Sequence, residues 1–251
     1  MLDVVHAGPS IAAAFAGSMV EAVEAMTIVL AVGTVRGWRS ALTGAAAGLA
    51  VLALVVIIFG PAIARIPIGL MQIMIGSLLV LFGLRWLRKA ILRSAGVIPL
   101  HDEDAAFARE SHSMRSAASS AGQVWDPIAI ATAFKAILLE GTEVVVIVIG
   151  VGAVGGLLVP ASVGALAACV LVSAVGVLAH RPLARVPENS LKFAVGLLIS
   201  AFGLFWFGEG LGVVWPYKDA AILGIAAILL IVSWLTVRLA RRATRPQAIL
   251  S

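Results

Sequence analysis

Glu21 and Glu24, and again Glu140 and Glu143, stand three residues apart inside apolar stretches, the second pair within LLEGTEVVVIV at 138–148. On a helix that spacing puts both side chains on one face, about 60° apart around the axis and about 4.5 Å along it. Two carboxylates so placed can reach one cation. Each also costs several kcal/mol to hold among hydrocarbon, which predicts that the pairs face the inside of a bundle. If the pairs meet, four carboxylates form an acidic cage, with Ser18, Thr27 and Thr142 near enough in sequence to add hydroxyl oxygens. These are hard donors, suited to Mn²⁺, Ca²⁺, Fe²⁺ or Fe³⁺ rather than Cu⁺. Met19 and Met26 lie close by and are read as thioether packing. Carboxylates crowded together cannot all ionise without a cation, so metal and protons would compete for the same atoms.

The elements that must position these groups follow from composition. Of 251 residues, 61% are hydrophobic and only 12% charged, the make-up of an integral membrane protein. Lipid offers backbone amides no partner, and the apolar runs far exceed the length of barrel strands, so helices of about 20 residues are the spanning element. The expected fold class is all-α, with seven transmembrane helices near 9–34, 40–62, 68–87, 127–150, 158–179, 190–211 and 219–237. A single transmembrane domain over 1–251 is expected: repeat one about 9–93, a cytoplasmic loop about 94–126, repeat two about 127–211, then the seventh helix.

The repeats are read from self-similarity. FAGSMVEAVEAMTIVLAVG at 15–33 superposes on FKAILLEGTEVVVIVIGVG at 134–152, ARIP at 64–67 on ARVP at 184–187, and GSLLVLFGLRW at 76–86 on GLLISAFGLFW at 196–206. The shift is 119 residues in the first match and 120 in the others, so Glu21 answers to Glu140 and Glu24 to Glu143. Three helices per copy send successive copies through the bilayer in opposite directions, an inverted repeat. Transporters use such repeats to hold a substrate near the midplane between the halves.

Charge sets the expected orientation. With the amino terminus outside and the carboxyl terminus cytoplasmic, 15 of the 18 Lys and Arg fall in cytoplasmic segments, Arg65 and Lys218 lie outside, and Lys135 sits within the fourth span. That is the positive-inside pattern, so the net charge of +5 reports topology and not a nucleic-acid partner. The amino terminus, MLDVVHAGPS, lacks the positive region of a secretory signal, and the first helix is expected to be retained. The expected location is the bacterial inner membrane, multi-pass. Cys169 is the only cysteine, which excludes an intrachain disulfide or thiolate cluster. His6, His101, His112 and His180 all fall outside the expected spans, no nucleophile–base pair is evident, and no phosphate-binding Gly-rich loop is present. Enzymatic chemistry and ATP hydrolysis are therefore not expected, nor is any cofactor.

Several residues stand at the margins of the site. Lys135 either snorkels to the interface or counters a site carboxylate. Glu209, in FWFGEGLG, is read as an exposed group or an outer ligand. His101, Asp102, Glu103 and Asp104 are read as the solvated start of a short surface helix, with a metal-sensing patch as the alternative. Gly17 precedes the first pair and Gly141 lies within the second, and both suit close helix approach; Trp86, Trp206 and Trp215 suit interfacial belts.

Around the glutamate pairs the sequence resembles the oxidase-dependent iron permease family, whose first and fourth helices carry Arg-Glu-x-x-Glu motifs in an inverted three-plus-three arrangement with a seventh helix. LEGTEVVVIV at 139–148 is similar to that motif, while Val20 and Leu139 stand where the arginines would be. A wider resemblance is to the lysine-exporter-like superfamily. The whole chain, with VEAVEAMTIVLAVGTVRGWRSAL, LRKAILRSAGVIPLHDED and HRPLARVPENSLKFAVG, resembles a bacterial membrane-protein family of unassigned activity. The resemblance implies the fold and the glutamate site more than a substrate; with the residues themselves, the expectation is a secondary transporter with a metal cation as substrate and lipid as its surroundings, a homo-oligomer staying open. Export of amino acids or other small organic cations, or a non-transporting membrane role, stay open beside it.

Overall fold

Apolar runs closed off by glycine, proline and clustered charge become helices because, away from water, only bonding within the segment satisfies the backbone. The computed structural model describes residues 4–63, 67–117, 125–152, 156–179, 188–217 and 220–244. Among these residues there are eight helices and no strand: α1 (Val4–Arg36), α2 (Trp38–Ile63), α3 (Ile68–Ser94), α4 (Glu103–Ser116), α5 (Pro127–Gly152), α6 (Leu158–Ala179), α7 (Glu188–Gly210) and α8 (Ala221–Thr244). The all-helical, multi-pass character expected from composition is present. Six helices, α1, α2, α3, α6, α7 and α8, are long and apolar enough to cross a membrane. The remaining long helix, α5, carries Lys135, Glu140 and Glu143 along its length, and that charge sets it apart from the six. The fourth of the seven expected spans is as apolar overall as α2, and differs in carrying its charges at mid-helix.

Besides the early start of α1 at Val4, two carboxyl-terminal boundaries run well past the sequence estimate. α3 continues to Ser94 and α8 to Thr244, because Arg88, Lys89, Arg93, Arg241 and Arg242 end the apolar run without ending the helix. Lysine and arginine are good helix formers and sit well against the negative end of the helix dipole.

The described residues gather into two compact units that interleave along the chain. The first comprises α1, α2, α4, α6 and α5 as far as Val148; the second comprises α3, α7 and α8. α1, α2, α6 and most of α5 thus fall in one unit, and α3 and α7 in the other.

In the first unit, α1 packs against α6, α4 and α2. α1 and α2 are joined through Gly37 alone, whose φ of 110° an L side chain rarely adopts. α5 starts from Asp126-Pro127, a capping residue followed by a proline suited to the first helical position. Asp126 Oδ1 accepts from the amides of Ile128 at 2.9 Å and Ala129 at 3.2 Å. Its Oδ2 lies 3.1 Å from Arg36 Nε, and its own amide donates to Ser40 Oγ at 3.0 Å. The start of α5 is thereby tied to the α1–α2 turn. Glycine lets backbones close in at two places: a methyl group on Gly44 of α2 would fall on the Ile130 carbonyl oxygen of α5, and one on Gly164 of α6 on the Ile11 carbonyl oxygen of α1.

In the second unit α3 and α7 run antiparallel in close contact, Gly76 against Gly203 and Gly83 against Gly196, with α8 packed on both. Trp86 and Trp206 are buried here, and Trp215 stacks on Phe205 at 5.8 Å while its Nε1 donates to the Phe205 carbonyl at 3.0 Å. This corrects the expectation of interfacial belts. Where facing helices present glycine, large rings fill the space beside the crossing. Trp38, Trp125 and Trp234 are the exposed tryptophans. Outward faces of α2, α6 and α8 present Leu54, Ile57, Leu166, Val170, Leu223 and Ile231, surfaces suited to lipid.

Candidate metal centre

α1 and α5 are long helices whose polar residues could have pointed anywhere, and the first unit settles where they point. Glu21 on α1 and Glu140 and Glu143 on α5 each offer a carboxylate oxygen, and these oxygens lie within 4.8 Å of one another. Glu21 is 0% exposed and Glu143 8%, while Glu140 is half-buried. Two oxygens on opposite sides of one cation, with bonds of about 2.0–2.6 Å, stand about 4.0–5.2 Å apart, so the spacing admits a shared ion. Gly141, between the α5 carboxylates, receives Leu52 of α2 so closely that an added methyl would lie 2.6 Å from Leu52 Cδ2. The glycine thus seats α2 beside the group.

The energetics argue that this convergence is not incidental. A charged side chain at mid-bilayer costs about 2.5–3.5 kcal/mol on insertion scales, so the two enclosed carboxylates together approach about 5–7 kcal/mol. The net stability of a whole domain is only about 5–15 kcal/mol. Like charges at this separation also repel, and positive charge, as a cation or as protons, offsets both terms.

The fourth glutamate of the expected cage, Glu24, is half-buried one turn further along α1 and is not among the three converging groups. The auxiliary residues have distinct fates. Ser18 is 0% exposed, and among the described residues its hydroxyl has no hydrogen-bond partner. Thr27, 3% exposed, donates from Oγ1 to Glu103 Oε2 of α4 at 2.7 Å. Thr142 is exposed, and its hydroxyl donates to the Leu138 carbonyl at 2.6 Å, which spends it on its own helix. Lys135 is exposed. Met26 packs against Gly176 of α6, a packing role. Glu209 belongs to the second unit, half-buried, and accepts from Gln72 Nε2 at 2.9 Å.

The charge run at 101–104 does not form one patch. Asp102 Oδ1 caps α4, accepting from the Ala105 amide at 3.1 Å, and Asp104 is exposed. Glu103 is 6% exposed, so the start of α4 is not the solvated face expected. The reason is amphipathic register: α4 turns Glu103, Ser111 and Met114 inward, and the first of these meets Thr27. His101 instead joins a group in the second unit that sequence reading missed. There Glu188, 6% exposed, has Arg93 Nη1 at 2.9 Å and Lys192 Nζ at 3.3 Å from Oε1, and His101 Nε2 at 3.2 Å from Oε2. Lys192 also lies over the Trp86 ring at 5.6 Å. The Glu188–Lys192 spacing of four was a visible signal; Arg93, far off in sequence, was not.

Comparison of the chain with protein-family models, with curated proteins and with solved structures returns no match.

Proposed function

We propose that this protein is a secondary transporter of hard divalent or trivalent metal cations, with Glu21, Glu140 and Glu143 as the ligands of the transported ion. The observation that carries the reading is the convergence of three carboxylates from α1 and α5, two of them enclosed, at a separation one cation can bridge. Manganese, iron and calcium fit the donor set. A trivalent ion, or a divalent ion with one proton, would balance three carboxylates, which favours coupling to protons. Glu24, three residues on from Glu21, is the ligand taken up as the ion moves.

Seven spans, with α5 as the charged one, and an inverted three-plus-three repeat complete the proposal. The packing supports the repeat through reciprocal contacts. Gly44 meets Ile130 and Gly164 meets Ile11; shifting Ile11 by 119 gives Ile130, and shifting Gly44 by 120 gives Gly164. In the second unit the 120-residue shift exchanges the Gly76–Gly203 contact with the Gly196–Gly83 contact. Contacts that swap in this way are what a local two-fold relation between copies requires. Within the first unit α1 runs parallel to α6 and α2 parallel to α5, and in the second α3 runs antiparallel to α7, the senses that alternate crossings would give. The positive-inside pattern puts the Arg36 end of α1 in the cytoplasm.

The test is flux of Mn²⁺, Fe²⁺ and Ca²⁺ into proteoliposomes under an imposed pH gradient, wild type against Glu140→Gln. Metal-selective flux that the substitution removes is the expected result. Folded protein that moves none of the three metals would transfer the reading to small organic cations.

A further inference from the structure

α4 is the one described helix too short and polar to span a membrane, yet it buries three side chains, and one of them is a carboxylate. Glu103 is 6% exposed and accepts the Thr27 hydroxyl at 2.7 Å. Asp102 already caps the helix, so Glu103 is not needed for that purpose. Thr27 lies six residues beyond Glu21 on α1, about 9 Å along the helix. Further in the same direction, Met114 of α4 joins Val32 of α1, Ala41 of α2 and Ala129 of α5 in an apolar cluster, with Ile28, Val35 and Ile128 packed around it. The two helices that carry the converging carboxylates therefore both pack, near their Arg36 and Asp126 ends, against a side chain that arrives on α4.

We infer that α4 is a movable closure over this end of the ion path, latched to α1 by the Thr27–Glu103 hydrogen bond and plugged by Met114. The inference rests on the transport reading above. Two features suit the helix to reversible seating. Its inward face carries Met114 and the half-buried Phe107 beside two buried polar groups, Glu103 and Ser111, and the Ser111 hydroxyl is enclosed with no hydrogen-bond partner among the described residues. A seat so composed holds less firmly than an apolar one. Its outward residues, Asp104, Arg109, His112, Arg115 and Ser116, are exposed and polar, so the helix is compatible with water whether docked or lifted. Alternating access needs one end of the path closed while the other opens, and a docked helix that can leave supplies that for the Arg36 end.

The experiment locks the helix down. With Cys169 replaced by alanine, Thr27→Cys and Glu103→Cys form one cross-linking pair, and Met114→Cys with Ala129→Cys form a second that leaves Glu103 intact. Each pair is bridged with a short bis-methanethiosulfonate reagent, which restores the length a cysteine lacks beside the glutamate or methionine it replaces, and metal flux in proteoliposomes is measured bridged and then reduced, with bridge formation followed by mass. The closure predicts that bridging lowers flux by roughly tenfold or more and that reduction restores it. Flux that persists in fully bridged protein overturns the closure while leaving the transport reading standing. Failure of both pairs to bridge overturns the seat itself. No flux in the wild type, with folded protein, removes the transport reading and the closure with it. Should replacing Glu103 silence flux even when reduced, the second pair decides.

Discussion

Both units enclose carboxylates, and they treat them in opposite ways. Around Glu188 the second unit gathers basic groups from its own chain: Arg93, Lys192 and His101 all lie within 3.3 Å of its oxygens. In the first unit Glu21, Glu140 and Glu143 are gathered with one another. The first pattern is self-contained: attraction between fixed opposite charges offsets the desolvation of each, and the group stays put. The second concentrates carboxylates where desolvation is costly, and a bound cation or proton would offset that cost. On the proposed transport function, the first arrangement ties helices together and the second holds the transported ion.

The sharpest way to break that contrast is to neutralise one carboxylate on each side. Glu188→Gln would leave Arg93 and Lys192 enclosed beside a neutral amide, and losing one partner of a buried ionic group costs about 3–5 kcal/mol. Its thermal stability should fall accordingly, while flux per folded molecule stays within about twofold. Glu21→Gln should do the reverse. Metal-free protein should melt no lower than wild type, because an amide in place of one carboxylate relieves the crowding of acidic groups, and flux should fall by roughly a hundredfold. Added Mn²⁺ should stabilise wild type, by about 2.7 kcal/mol at a hundred times its dissociation constant, and leave Glu21→Gln unmoved. If both substitutions destabilised equally and both silenced flux, the distinction between tie and cargo site would be lost.

A second, smaller effect tests whether the two copies are built alike. A methyl group at Gly44 would collide with the Ile130 carbonyl oxygen and one at Gly164 with the Ile11 carbonyl oxygen. Backbone atoms on a packed helix yield little, so overpacking should cost about 1–3 kcal/mol in each of Gly44→Ala and Gly164→Ala. The losses should match to within about 0.5 kcal/mol, the scatter expected of independent sites, as read by thermal unfolding in one detergent. A large inequality would mean that the two contacts are only superficially reciprocal.

How far the sequence disclosed all this depended on whether a signal was local. Helical class and most helix positions followed from apolar runs, and Glu21, Glu140 and Glu143 stood out because an ionisable group in such a run is costly anywhere it points. The separate position of Glu24 did not: equal spacing within each repeat says which face a residue occupies and not whether the partner helix comes within reach. Glu103 was misjudged for a related reason. A run of three acidic residues resembles any solvated helix start, and only the packing of α4 on α1 decides which of the three turns inward. The Glu188 group needed Arg93, 95 residues away, and no local pattern could have supplied it. The tryptophans misled because their prevalence at interfaces says nothing of the glycines that face them across α3 and α7.

The smallest expected effect concerns the threonines, which occupy similar places beside the carboxylates yet make different bonds. Thr27 is buried and its hydroxyl reaches another helix, whereas Thr142 is exposed and bonds its own Leu138 carbonyl. A hydroxyl that folds back on the preceding turn adds little to helix stability, and at an exposed position nothing buried is left unsatisfied when it is removed. Thr142→Val should therefore change unfolding free energy by less than about 0.5 kcal/mol and leave metal flux unaltered. Proximity in sequence to Glu140 and Glu143 would have made Thr142 a ligand, and a clear loss of flux in this variant would show that α5 turns during transport to bring its hydroxyl to the ion. The same substitution at Thr27 removes the donor to Glu103, so its effect should be the larger of the two, and should be seen in flux before it is seen in stability.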